Sequence, residues 1–198
     1  MKPSILFTRA LPLALAGLVW AFPAAAEEPH VAPITELVNS KLKAELGDPA
    51  IIAAIKAQNA ANQNLSQADV DALDQKWRAE VDSGGGEMID GALTAPASVQ
   101  LKKIRDDAAG MITEVFVMDA HGLNVAQSDP TSDYWQGDEA KWQKTYGSGG
   151  DAVFVDEIEQ DESTQMLQSQ ASFTIVDPET NEPIGAATVG INLDMLDL

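Results

Sequence analysis

The spacing of apolar residues changes once along this 198-residue chain, close to Gly110. Before that glycine, apolar residues from Ile34 to Ala109 recur every three or four positions, the period of one face of an α-helix. After it, the segments that begin at Ile112 alternate apolar and polar residues, the period of a half-buried β-strand. Helices followed by strands, rather than alternating with them, predict an α+β domain.

Residues that begin and end helices divide the helical part. Asp48 before Pro49 is typical of an N-cap and first turn, and Ser66 with Asp69 resembles a capping box with Asp in place of Glu or Gln. The pattern predicts helices over residues 34–46, 49–62, 66–83 and 96–109. The glycines at 84–86 predict a flexible joint, because no Gly-Lys-Ser or Gly-Lys-Thr follows to make a phosphate loop.

Five strands, mostly antiparallel, are predicted after the change of period. They cover residues 112–120, 123–128, 152–158, 166–176 and 184–193, with a short helix inserted at 139–146. His121 and Gly122 form the first turn, where Gly122 is free to adopt positive φ, and Asp119 is explained by an Asp-x-x-Gly turn. Residues 177–181 form a second hairpin turn.

The first 26 residues are typical of a secretory signal. Lys2 and Arg9 precede an apolar run over residues 10–22, and Ala24–Ala26 form a small-residue cleavage site before Glu27. An uncleaved anchor is the alternative, although the run is short for a membrane span. We therefore expect a mature chain of residues 27–198 that is soluble in the periplasm and, with no cysteine, has no disulfide.

The charge balance limits the partners of the chain. Its net charge is −19, and loss of the signal would leave 10 basic against 31 acidic side chains, or −21. Such a charge argues against nucleic acid and anionic membrane surfaces and favours cationic partners. A solvated acidic surface is the simpler explanation of most of it.

No catalytic set is visible in the sequence. His30 and His121 are the only histidines, there is no cysteine, and GxSxG, HExxH and CxxC are absent. We therefore predict that the protein is not an enzyme and needs no cofactor.

Two acidic clusters leave a cation site open. The first comprises Asp129, Thr131, Asp133, Asp138 and Glu139. It fails the EF-hand template, because Tyr134 stands where Gly is needed and Ala140 where Glu is needed, so only a looser oxygen-ligand site stays open. The second comprises Asp156, Glu157, Glu159, Asp161 and Glu162, and solvated charges that keep a strand edge from pairing explain it better.

Aromatic and acidic residues alternate between the second and third predicted strands. From Ile112 to the C-terminus there is no arginine, and the only cationic side chains are Lys141 and Lys144. A pocket here could hold an anion only with lysine or backbone donors, whereas carboxylates and aromatic rings suit amines and neutral molecules. The alternative for Trp135 and Trp142 is a place in the core.

Three segments resemble the single-Cache family, the PAS-like extracytoplasmic sensor domains. They are EVFVMDAHGLNVAQSD (114–129), DYWQGDEAKW (133–142) and GAATVGINLDML (185–196). The resemblance covers residues 111–198 well and the preceding helices loosely. It implies a signal peptide at 1–26, an N-terminal helical region at 27–110 and a sensor domain at 111–198.

The resemblance also implies a ligand site on the concave face of the sheet, covered by the loop and helix after the second strand. The positions that it implies are Asp133, Tyr134, Trp135, Trp142, Tyr146, Phe154 and Asp156. Family members that bind amino acids use an arginine in this loop, and its absence here lowers that expectation. Amines, neutral solutes and metal ions stay open.

The function predicted is a periplasmic small-molecule sensor that signals to a membrane receptor or sensor kinase. Family members carry a second membrane span after the last strand, and the sequence to Leu198 has none, so we expect a free-standing version. Homodimers through the N-terminal helices are a further expectation. The alternatives are a non-sensing interaction module and a divalent-cation-binding protein.

Overall fold

The computed structural model describes residues 28–160 and 166–196. The predicted secretory signal therefore lies outside the described residues. Within them, no helix has the length and apolar character that crossing a bilayer requires.

Helices fill the chain before Gly110. Helix α1 (Val31–Leu37) continues through a π-helical segment (Val38–Leu42) into α2 (Lys43–Leu46). It is followed by α3 (Pro49–Asn62), α4 (Gln67–Asp82), α5 (Glu87–Thr94) and α6 (Pro96–Asp107). Both predicted caps are present: Asp48 accepts from the Ala50 N–H, and Ser66 with Asp69 forms a capping box.

The predicted flexible joint is a held connection instead. Gly84 and Gly85 have φ of 83° and 141°, which favours glycine over any other residue. The Glu80 carboxylate accepts hydrogen bonds from the Met88 and Ile89 N–H groups at 2.8 and 3.0 Å. The glycines thus turn the chain so that the last turns of α4 cap the beginning of α5.

One antiparallel sheet follows. Its strands are β1 (Ile112–Met118), β2 (Asn124–Gln127), β3 (Val153–Val155), β4 (Glu159–Gln160), β5 (Leu167–Val176) and β6 (Pro183–Asn192). The order is β2-β1-β6-β5-β3, and β4 pairs with β5 beyond β3. The predicted α+β class is confirmed, but the third predicted strand, 152–158, ends at Val155, and a separate two-residue strand follows it at Glu159–Gln160. A short helix, α7 (Ala140–Gln143), and a 3-10 turn (Tyr146–Ser148) lie between β2 and β3.

The helices pack against one face of the sheet. Ile34, Val38, Leu42, Ile51, Ile55 and Leu101 join Val115, Val117, Phe173, Val189 and Ile191 in a single buried cluster. The face that these strand residues share is called the core face below. Because side chains alternate along a strand, the residues between them project from the opposite face.

Candidate functional site

The opposite face of the sheet lies under residues 139–148, which we call the lid. Phe116, Met118 and Ala186 form a small apolar cluster there, with Trp142 and Tyr146 of the lid packed on it. The rings of Trp142 and Tyr146 are 5.4 Å apart. We call this surface the lid face, and it is separate from the core that the helices cover.

The two lysines of the lid lie over aromatic rings of the lid face. Lys141 Nζ is 5.5 Å from the centre of the Phe116 ring, and Lys144 Nζ is 4.0 Å from that of Phe154. Lys141 also pairs with Glu139 at 2.9 Å, whereas Lys144 makes no ion pair within residues 28–160 and 166–196. The two ammonium groups are therefore attracted to the faces of these rings, and a bound ligand can take their place there.

The floor beneath the lid is polar although it is buried. The registers β3·β5, β5·β6 and β1·β6 place Phe154, Ser172, Thr188 and Phe116 in one row across four strands. The Ser172 and Thr188 hydroxyls lie 2.9 Å apart, and both side chains are fully buried. Buried Thr174, in the next row, has no partner for Oγ1 among the described residues. A face buried only for stability would be apolar.

A carboxyl group lies at one end of this floor. Glu114 Oε1 accepts from Gln170 Nε2 at 2.8 Å, and its side chain passes over Gly190, where a Cβ would come within 2.8 Å of Glu114 Cγ. Burial raises the pKa of Glu114, and the hydrogen bond from Gln170 and the charge of Lys141 oppose that rise in part.

Three predicted site residues meet at the lid face, and a fourth lies beside it. Trp142 and Tyr146 come from the lid and Phe154 from β3. Asp156 follows β3, and its carboxylate accepts from the Glu157 N–H at 2.9 Å. Its carbonyl accepts from buried His30 at 2.9 Å and from Ser169 at 2.8 Å. His30 therefore ties the beginning of α1 to the end of β3.

The other three predicted residues are held by α4 instead. Asp74 Oδ1 accepts from the Tyr134 and Trp135 N–H groups at 2.9 and 3.1 Å. Trp77 stacks on Tyr134 with ring centres 5.4 Å apart, and its Nε1 donates to the Thr131 carbonyl. Burial, with a smaller effect from the charge of Asp119, raises the pKa of Tyr134 to about 12. These contacts dock residues 129–137, here called the acidic loop, on the helical part.

Two arginines of the helical part also bind carboxylates of the acidic loop, and these contacts were not expected from the sequence. Arg78 Nη2 donates to Asp133 at 3.2 Å while its Nε donates to Asp74 at 2.6 Å. Arg105 pairs with Asp129 and Asp106. The expectation that only lysines supply positive charge here is wrong, because helices 24 and 55 residues earlier in the chain bring the guanidinium groups.

The two carboxylates of the predicted cation site are thus each paired with an arginine. Asp129 bonds to Arg105, and Asp133 bonds to Arg78 and to Gln136 Nε2. In the part of the chain that the structure describes, no three His, Asp or Glu side chains come together in a way that could hold a metal ion.

Several residues of the lid face were not predicted. They are Glu114, Gln127, Gln170, Ser172, Thr174 and Thr188. In the sequence these residues occupy the polar positions of alternating strands, and a solvent-exposed face of a sheet shows the same pattern. Only the lid, placed by the fold, makes that face a buried one.

Comparison with known proteins places these features among distant structural relatives. No family model matches the sequence, and no curated protein matches it. Among solved structures it is similar to the sensor domain of the V. cholerae histidine kinase DctB, with 12% identity and a TM-score of 0.40 over 82% of this chain and 53% of that one.

Two chemoreceptor domains are similar at the same level. The ligand-binding domain of Campylobacter jejuni Tlp3, in complex with 4-methylisoleucine, has 11% identity and a TM-score of 0.38 over 80% of this chain and 63% of that one. That of the Pseudomonas aeruginosa PAO1 amino acid chemoreceptor PctC, in complex with GABA, has 15% identity and a TM-score of 0.37 over 62% of each chain. The chain spans between half and two thirds of the length of these structures.

Proposed function

We propose that this protein is an extracytoplasmic sensor that binds a small organic solute between the lid and the lid face. The observation that carries the proposal is the buried polar floor of Ser172, Thr174 and Thr188 beneath a short lid of aromatic and cationic residues. Small-molecule sites combine aromatic walls with a few placed polar groups, and this face has both. Amines, neutral solutes and other small metabolites are the ligand classes considered.

The lid is built to open. Its helix α7 has four residues, and the chain after it passes through Gly149 and Gly150, whose φ values are 71° and 70°. One hydrogen bond, from Trp142 Nε1 to the Asp119 carbonyl at 3.1 Å, joins its aromatic part to the end of β1. Exposed Lys144 adds a contact with the Phe154 ring, so opening exchanges these contacts and the packing of Trp142 and Tyr146 on the lid face for contacts with a ligand.

A short route connects the lid face with the N-terminal helix. Phe154 lies under the lid, two residues before Asp156, and the carbonyl of Asp156 accepts from His30 at the beginning of α1. Ligand binding that moves β3 would move this hydrogen bond and shift the position of α1. A membrane partner that contacts α1 would receive the signal as a shift between two populations.

A thermal-shift screen of the purified protein tests the proposal, because a ligand that binds the folded state raises its melting temperature. It should cover amines, amino acids, carboxylates, sugars, purines and divalent metals. Phe154→Ala and Val155→Ala are matched variants, since both side chains are half-buried on β3 but project from opposite faces.

We expect a ligand whose shift is lost in Phe154→Ala and kept in Val155→Ala. A shift kept in Phe154→Ala would place the ligand elsewhere. No shift with any compound, on folded protein, would favour the interaction module.

A further inference from the structure

The inference concerns Gln127, a residue of β2 that belongs to the lid face. Ala126 before it packs in the core cluster, so Gln127 projects from the opposite face. It pairs directly with Phe116 of β1, whose ring lies under Lys141 of the lid. Directly opposed residues of an antiparallel pair share a face, which places Gln127 beside Phe116 under the lid.

The side-chain amide of Gln127 is buried without a partner. The residue is 1% exposed, and neither Nε2 nor Oε1 has a hydrogen-bond partner among the described residues. Its backbone N–H donates to Ser98 Oγ at 3.0 Å. By contrast, Gln170 on the same face donates to Glu114, and buried Gln136 donates to Asp133 although its Oε1 has no partner among the described residues, so that Gln127 is the glutamine with both amide atoms unpartnered there.

Such an amide is costly to keep. Each buried polar atom that lacks a partner lowers the stability of the fold, and leucine or methionine would fill a similar volume without that cost. We propose that Gln127 is a ligand-binding residue that selects a carboxamide, a small uncharged group that offers an acceptor and a donor side by side. This inference rests on the proposed function of the lid face.

The geometry of the amide decides against charged ligand groups at this position. A carboxylate only accepts and would leave Oε1 without a partner, whereas an alkylammonium only donates and would leave Nε2 without one. A primary carboxamide pairs with both atoms through two antiparallel hydrogen bonds. The nearest lid cation, Lys141, is engaged by Glu139, so the position beside Phe116 has no free charge to attract an anion.

Three probes with the same three-carbon chain length test the proposal: propionamide, propionate and propylamine. Binding of each to the full-length protein is measured by calorimetry or by chemical shifts of the lid-face amides. Wild type should prefer propionamide. Gln127→Leu should weaken propionamide binding about tenfold or more, because two hydrogen bonds are lost. Gln127→Glu, which only accepts, should bind propylamine better than propionamide.

Gln67→Leu is the control, since it removes an amide on α4, outside the lid face, that already has a partner in Asp71 at 2.8 Å. It should leave the order of the three probes unchanged. Gln127→Leu should also melt at a higher temperature than wild type without ligand, which separates loss of binding from loss of folding.

Two results would overturn the inference while leaving the proposed function intact. One is a ligand whose shift depends on Phe154 but whose affinity is the same in Gln127→Leu. The other is a Gln127→Leu variant that melts lower than wild type with no change in probe order, which would assign the amide to a buried water. Failure of the lid site itself shows differently, as probe binding that Phe154→Ala does not affect.

Discussion

Some residues that line the proposed ligand site on the lid face lower the stability of the fold. Glu114 illustrates this: its carboxyl group is held under the lid between Gly190 and Gln170, where burial raises its pKa. A group whose pKa is raised on folding binds more protons in the folded than in the unfolded state. Its contribution to stability is therefore present at low pH and is lost as the pH rises through the folded-state pKa.

Glu114→Gln should accordingly be more stable than wild type at neutral pH. The uncharged amide keeps an oxygen that can accept from Gln170, and the burial of a charge is avoided. The difference in melting temperature should shrink as the pH falls through the raised pKa of folded Glu114 and should be constant and small below the ordinary glutamate pKa of about 4.3. Thermal denaturation of both proteins as a function of pH measures it, and a constant difference at all pH values would contradict the assignment.

Asp119 shows how much one turn residue can organise. Its Oδ1 accepts from the His121 and Leu123 N–H groups at 2.8 and 3.0 Å, and its Oδ2 accepts from Gln58 and Asn62 of α3 at 3.1 and 2.8 Å. The Asp-x-x-Gly turn expected from sequence is present, with φ of 80° at Gly122. The links to α3 are tertiary and were not predicted.

Asp119→Asn should destabilise the protein by about 1–3 kcal/mol, because its NH₂ group would face two other amide donors in a buried site. Urea denaturation gives the free energy of unfolding. Asp138→Asn, on the exposed part of the same region, is the control and should change it little. Equal effects of the two substitutions would mean that the loss of charge alone is responsible.

At the scale of elements, α4 and the acidic loop act as one unit. Asp74 holds the loop backbone at Tyr134 and Trp135 while it binds Arg78, and Trp77 stacks on Tyr134. These contacts give Tyr134 and Trp135 a structural role in the described conformation. A ligand-binding role for them and for Asp133 stays a prediction.

Asp74→Ala should loosen the acidic loop without unfolding the sheet. Amide hydrogen exchange at Tyr134 and Trp135 should become faster, because both N–H groups lose their acceptor, while exchange in β5 and β6 should be unchanged. Asp71→Ala is the matched control on α4, since exposed Asp71 bonds only within the helix, to Gln67 at 2.8 Å. Faster exchange throughout the sheet would show that α4 supports the whole fold instead.

At the scale of the whole molecule, the helical part and the sheet share one core. Leu42, in the continuous helix from α1 to α2, is 1% exposed and belongs to the same cluster as Phe173 and Val189. The sequence division at residues 110 and 111 follows the change of period. The core does not divide there, because the strands bury their apolar face against these helices.

Leu42→Ala should therefore destabilise helices and sheet together, by about 2–5 kcal/mol. Helical circular dichroism and tryptophan fluorescence should show one coincident transition at a lower temperature. Val99→Ala, where the side chain is 58% exposed, is the control and should change little. Two separate transitions would show that residues 27–110 and 111–198 fold independently.

Local chemistry explains which features could be predicted from sequence. The helix caps at Asp48 and Ser66, the turn at Gly122 and the strand alternation depend on residues a few positions apart. Their signals are therefore present in any short stretch of the chain. The resemblance to a known sensor class, and not local chemistry, predicted that Trp142, Tyr146 and Phe154 lie near one another, because the order of the elements is similar.

The composition of the site was decided only by the tertiary structure. Gln127 faces Phe116 through strand pairing, Arg78 reaches Asp133 across 55 residues, and the lid buries Ser172 and Thr188. A polar residue on a strand has the same local pattern whether water or a lid covers it. The sequence by itself determined where helices, turns and strands lie, because these depend on neighbours along the chain. Packing between distant segments determined which polar groups are buried, and hence which face of the sheet carries the proposed ligand site.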